Sequence, residues 1–302
     1  MPKSLIVITG PTAVGKTDLC LSIARHYDVP VINADSRQIY RELKIGTAAP
    51  TAEQQLSVRH YFVGHKSVHD YYNASMYETD ALQLISRQHS DSDVALLSGG
   101  SMMYIDAVCK GLDDIPTVRE DIRTSLRQRL STEGLAVLLD ELREADPDYY
   151  ATVDRQNYRR VIHALEICQQ TGRPYSTFLT ATGKERPFRI IKIGLNIDRD
   201  LLYERINRRV DAMMAQGLAD EARSLLPLRH LNALATVGYK ELFCHFDGMW
   251  TLDEAVERIK GNTRRYARKQ LTWYKRDADI RWFAPNDIQA IINHINLCLQ
   301  ES

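Results

Sequence analysis

Short runs rich in β-branched residues punctuate the first hundred positions, at 5–9, 29–33 and 94–98. The stretches between them are helix-like, so βαβ units and a parallel sheet are the natural reading. From about 117 to 180 the pattern changes. Residues 117–130, 133–144, 156–171 and 174–179 all read as helices, with no strand candidate between them. Linker-like segments flank this block at 113–116 and 182–187. A strand then returns at 190–197, helices follow at 199–216, 218–226 and 252–276, and the short run 280–283 precedes a terminal helix. The economical organisation is an α/β parallel-sheet core made of residues 1–112 and 186–302, carrying an inserted all-helical domain at 113–185. There are no internal repeats and no low-complexity stretch.

The first strand runs straight into Gly10-Pro11-Thr12-Ala13-Val14-Gly15-Lys16-Thr17, with a helical pattern at 18–27 behind it. This is the G-x-x-x-x-G-K-[ST] spacing in its strand–loop–helix context, and it makes the core P-loop NTPase-like. Glycines let the loop curl until successive N–H groups point at one anion, and the helix N-terminus adds the positive end of its dipole. Lys16 adds a formal charge, and the Thr17 hydroxyl suits a Mg²⁺ ligand. A phosphate or diphosphate is expected here.

Ligands of such sheets sit beyond the carboxyl ends of the strands. The strand 94–98 ends in Ser98-Gly99-Gly100-Ser101, without the carboxylate that hydrolytic motors place there. Asp35 is the acid set at a strand end near the phosphate loop. It is either a general base for a nucleophile attacking at the diphosphate, or an N-cap or Asx-turn residue. Ser101 either gives a hydroxyl to a leaving phosphate or caps the next helix, and one residue can do both.

Lysine and arginine number 39, as do aspartate and glutamate, so affinity for nucleic acid must come from local clusters. One lies in 253–276. There Val256, Ile259, Thr263, Tyr266, Gln270 and Trp273 mark an inward face, Arg265, Lys269 and Arg276 its edge, and Arg264, Arg268 and Lys275 the opposite side. A second is Asp154-Arg155-Gln156-Asn157-Tyr158-Arg159-Arg160, with Asp154 as the expected cap. Arginine, amide and aromatic groups together suit unpaired bases and RNA backbone. The alternatives are a solvated face for the first and pairing to Glu166 for the second. A third cluster, at 205–211, offers Arg209 to the phosphate site.

Five scattered cysteines and nine histidines show no metal-binding spacing, and no G-x-S-x-G elbow is present. With no signal peptide and no apolar run of membrane-spanning length, the expected location is cytoplasmic. A small-molecule P-loop kinase leaves the helical insert and the Arg/aromatic helix unexplained, and a GTPase-like RNA-binding module lacks N-K-x-D.

The ordered set of the P-loop, Asp35-Ser36-Arg37-Gln38-Ile39-Tyr40, Ile45-Gly46-Thr47-Ala48-Ala49-Pro50, Gly99-Gly100-Ser101-Met102-Met103-Tyr104, the 154–160 cluster and Thr263–Trp273 resembles the tRNA dimethylallyltransferase family over roughly residues 4–275. Ser101 stands where the family usually has Thr, and Ala49 where Lys is common. The resemblance implies transfer of a dimethylallyl group from dimethylallyl diphosphate to N6 of the adenosine adjacent to the anticodon, position 37. The tRNAs implied are those reading codons that begin with U. Within that reading, Lys16 and Thr17 with Mg²⁺ hold the diphosphate, Asp35 takes the N6 proton, and Ser101 and Arg209 steady the leaving oxygens. Asp35, Ser36, Arg37, Gln38, Ser101, Arg123, Gln156, Asn157, Tyr158, Arg159 and Arg160 contact tRNA, the insertion gripping the anticodon stem-loop. The enzyme is expected to be a monomer. A relative acting on free AMP or ADP shares the front motifs; the insertion favours tRNA.

Overall fold

The computed structural model describes residues 2–180 and 183–300. The chain divides into two compact units, one formed by residues up to Lys110 together with those from Glu185 onward, the other by Gly111–Lys184. Thr182, in the expected rear linker, lies outside the described residues.

In the first unit the strands β1 (Ser4–Thr9), β2 (Val31–Asn33), β3 (His60–Tyr61), β4 (Val94–Ser98), β5 (Arg189–Leu195) and β6 (Arg281–Phe283) form one sheet in the order β3-β2-β4-β1-β5-β6. Every pairing is parallel. The centre of the sheet explains its uniformly apolar strands. Leu5 and Val7 of β1 pack with Ala95 and Leu97 on one face, while Ile6 and Ile8 pack with Leu96, Ile191 and Ile193 on the other. Side chains alternate across a strand, so one covered on both sides must be apolar at every position. Each such fully buried Leu or Ile contributes about 1.5–3 kcal/mol. β3 escapes the sequence pattern: it is two half-buried residues at the outer edge, too short to show a period.

The helix Lys16–Tyr27 follows β1, and Leu252–Tyr274 is the longest in the chain. The latter begins with a capping box in which the Thr251 hydroxyl accepts from the Glu254 N–H while the Glu254 carboxylate accepts from the Thr251 N–H.

The regular elements among the second unit's described residues are all helical: Glu120–Thr132, Leu135–Ala145, Pro147–Thr152, Tyr158–Thr171 and the 3₁₀ turn Tyr175–Phe178. Its core includes Leu126, Leu138, Leu142, Val161 and Leu165. Its ends are tied together: Asp113 accepts from the Thr180 N–H and hydroxyl at 3.0 and 2.7 Å, and Lys184 pairs with Asp114 at 2.7 Å. The helix Pro147–Thr152 starts on fully buried Asp146, which accepts from Tyr149 N–H and from both donors of Ser176. Among the described residues no helix is long and apolar enough to cross a membrane.

Candidate active site

β1 delivers the chain into the loop that turns over the N-terminus of the helix Lys16–Tyr27. Gly10 sits at φ 145°, and a β-carbon there would lie 2.6 Å from the Leu195 carbonyl oxygen, so the turn requires glycine. The Lys16 ammonium donates to the carbonyls of Gly10 and Pro11 at 2.9 and 2.7 Å. Burial, and next the nearby Arg209 guanidinium, lower its pKa to about 8; the Asp35 carboxylate opposes them. Burial lowers Arg209 in turn, and Asp35 again opposes. Crowded cations of this kind are relieved by a polyanion.

A cavity of about 430 Å³ opens over the loop, lined by Lys16, Thr17, Asp35, Arg205, Arg208 and Arg209 among others. A second cavity, of about 510 Å³, is bounded by Ser36, Arg37, Ser101 and the apolar Val210, Met213 and Ile259. Thr12, Asp35, Thr47, Arg209 and Tyr266 line both, so the two adjoin and Asp35 stands at the junction. Its Oδ1 accepts from the N–H groups of Arg37 and Gln38 at 2.8 and 3.3 Å, an Asx turn. Oδ2 takes no part in that turn and lies beside Gly100. The turn orients the carboxylate through Oδ1 and leaves Oδ2 outside it.

A third element locks the site. Fully buried Gln270 accepts from the Thr12 N–H at 2.8 Å and donates to the Gly100 carbonyl at 2.7 Å; Tyr266 adds a hydroxyl to the same carbonyl at 3.1 Å. The phosphate loop and the turn after β4 are thus bridged by one amide. Gln270→Ala should cost about 2–4 kcal/mol by stranding buried backbone groups. Urea unfolding checks this, and a loss under about 0.5 kcal/mol would mean the strut does not hold.

The placement of several expected residues differs from the sequence reading. Ser101 lines the second cavity, and its hydroxyl accepts from the Ser36 N–H at 2.7 Å and donates to Ser36 Oγ at 2.9 Å. On the helix Leu252–Tyr274 the fully inward positions are Ala255, Ile259, Ala267, Gln270 and Tyr274. Val256, Thr263 and Trp273 are half-buried and Tyr266 is exposed at the cavity lip, because the helix meets both the helix Tyr239–Phe246 and the helix Arg199–Ala215. That second neighbour also takes in Arg264, which donates to Asn207 at 2.5 Å instead of facing solvent. Gln38 turns its amide onto the carbonyls of Thr47 and Ala48, and Arg37 donates to the Asn232 carbonyl.

In the second unit the cap of Tyr158–Thr171 is Asn157, not Asp154; Asp154 instead accepts from the Gln156 N–H two residues on. Glu166 faces Arg123 at 3.7 Å and His163 at 3.4 Å, so Arg123 is turned inward and mostly covered. Arg155, Gln156, Tyr158, Arg159 and Arg160 are exposed, with Arg155 over the Tyr150 ring and Arg159 over that of Tyr158.

A cationic cavity over the loop after β1, a carboxylate at its junction with a more apolar cavity, and a parallel α/β sheet beneath them are the frame of a transferase-type enzyme. The IPP transferase family model matches residues 38–277. The tRNA dimethylallyltransferase 2 of Parabacteroides distasonis is 59% identical over 97% of this chain and 98% of its own length. The tRNA dimethylallyltransferase 1 of Phocaeicola vulgatus is 57% identical over 98% and 99%. Among solved structures, the full-length tRNA isopentenylpyrophosphate transferase of Bacillus halodurans is 38% identical with a TM-score of 0.72, covering 99% of this chain and 97% of that one. A eukaryotic dimethylallyltransferase acting on tRNA superposes with a TM-score of 0.77 at 25% identity, over 95% of this chain and 75% of its own. The chain belongs to the IPP transferase family, the tRNA-modifying prenyltransferases.

Proposed function

We propose that the enzyme transfers a dimethylallyl group from dimethylallyl diphosphate to N6 of the adenosine at position 37, beside the anticodon, of tRNAs reading codons that begin with U. The observation that carries this reading is the position of Asp35 between a cationic cavity and a second, more apolar one. The diphosphate lies over Lys16 and Thr17, and the adenine, flipped out of its stack, enters the second cavity. The N6 nitrogen attacks the allylic C1 as the C1–O bond breaks. Asp35 takes the N6 proton and pyrophosphate leaves, its charge met by Lys16 and Arg209. Ser101, bonded to Ser36, holds the turn that carries Asp35. No water needs activating, in keeping with the lack of an acid at the tip of β4.

Mg²⁺ fits the donors present. Among the described residues no three-carboxylate or histidine cluster could cage a metal, whereas the exposed Thr17 hydroxyl lines the cationic cavity. That suits a cation drawing its other ligands from phosphate oxygens and water. Bound there, it would neutralise charge on the departing pyrophosphate. The enzyme is a cytoplasmic monomer in this reading, and the exposed Arg155–Arg160 surface grips the anticodon stem-loop.

Incubating the protein with labelled dimethylallyl diphosphate, Mg²⁺ and unmodified tRNA, then digesting to nucleosides, tests the reaction. Label in N6-substituted adenosine supports it; ATP turnover or phosphorylation of a small molecule instead would replace it with a kinase. Arg159→Ala should raise the tRNA KM about fivefold at constant kcat and reduce the salt slope of binding by about one. Unaltered tRNA kinetics would remove this surface from the interface.

A further inference from the structure

The 44–50 loop forms part of both cavities: Gly46 lines the second, Ala48 and Pro50 the first, and Thr47 both. It is held from two sides. On its carbonyl side Gln38 donates to Thr47 and Ala48, and the Gln38 N–H in turn reaches Asp35. On its N–H side stands a carboxylate from a distant helix, Leu218–Ser224. Glu221 Oε2 accepts from the Lys44 and Ile45 N–H groups at 3.1 and 2.9 Å, and Oε1 from Gly46 N–H at 2.9 Å and the Tyr239 hydroxyl at 2.6 Å. Three successive N–H groups converging on one anion form a nest, and here the anion is the protein's own. Gly46 lies so close to the buried Tyr239 ring that a β-carbon would come within 2.6 Å of it.

We propose that Glu221 is a positioning residue for the transfer reaction, clamping the 44–50 loop as the shared wall of the two cavities and, through Gln38, steadying Asp35. Glu221 touches neither cavity. It acts through the loop, and only a full carboxylate satisfies the nest, since an amide would turn N–H donors toward N–H donors. The proposal rests on the prenyl-transfer reading, and its test separates the two.

Wild type, Glu221→Gln and Glu221→Asp are compared under single turnover at saturating donor and varied tRNA, alongside limited trypsin digestion, which can cut after exposed Lys44 once the loop is loose. Glu221→Gln should lower kcat about 30-fold with the tRNA KM within about threefold, since small misplacements at a reacting centre cost rate more than binding. Cleavage after Lys44 should appear in the variant and not in wild type. If Glu221→Gln fails to fold, Glu221→Asp, which keeps the charge but falls short of the nest, should still lower kcat about tenfold at unaltered tRNA KM. Wild-type kcat in the soluble variants, or a matching rise in tRNA KM, or no new cut after Lys44, would overturn the clamp. If wild type itself moves no label to tRNA, the prenyl-transfer reading falls, and the trypsin comparison alone decides whether Glu221 holds the loop.

Discussion

Asp35→Asn is expected to lower kcat about 10³-fold while dimethylallyl diphosphate still binds. The substitution is close to isosteric, and an amide oxygen can keep accepting from Arg37 and Gln38, so the turn survives. What disappears is the capacity to take a proton from an exocyclic amine. Donor affinity should hold or improve, because Asp35 is the negative charge beside Lys16 and Arg209, and removing it leaves the cradle more cationic. Calorimetric titration of the donor and single-turnover transfer to tRNA give the two numbers separately. Joint loss of both would show the carboxylate holding the cradle together and not acting as the base.

The second large effect is in pH. Lys16 titrates near 8 in the folded protein because burial and Arg209 disfavour its charged form. The sign follows directly. Its folded pKa lies below the ordinary lysine value, so the charged form weakens the unliganded fold below about pH 8, and that penalty fades as the pH rises toward 10.5. Donor binding requires the ammonium, and a nearby dianion raises its pKa. Affinity for the donor should therefore be level from neutrality to pH 8 and then fall, to roughly 25-fold weaker at pH 9.5 than at 7.5. Lys16→Met should bind about 10²-fold more weakly and lose the pH dependence above 8. A wild-type profile flat to pH 9.5 would mean that no lysine of lowered pKa governs donor binding, and unaltered affinity in Lys16→Met would mean that Lys16 is not the group the phosphates meet.

How much of this was legible in the sequence depends on the range of the interaction. The phosphate loop was plain, because its chemistry is written in eight consecutive residues. The central strands were too, since burial on both faces leaves an unbroken apolar run at Leu5–Ile8 and Val94–Leu97. β3 was not: a two-residue edge strand has no period to detect. The helices Pro147–Thr152 and Tyr239–Phe246 were missed as well, being about one to two turns long. Asp35 was found by its place after a strand. Gln270 was placed on an inward face, but its bridge from Thr12 to Gly100 joins positions about 170 and 260 residues away, which no local pattern encodes. Glu221 left no signal, because its partners are backbone N–H groups that every sequence possesses.

The sheet ends on strands of two residues at one margin and three at the other, His60–Tyr61 and Arg281–Phe283. Margins that short offer an incoming chain too few free backbone groups to zip onto, whatever its side chains. The polypeptide can therefore keep a long, greasy central strand array without presenting a seed for fibrillar stacking, even when freshly made copies crowd around it.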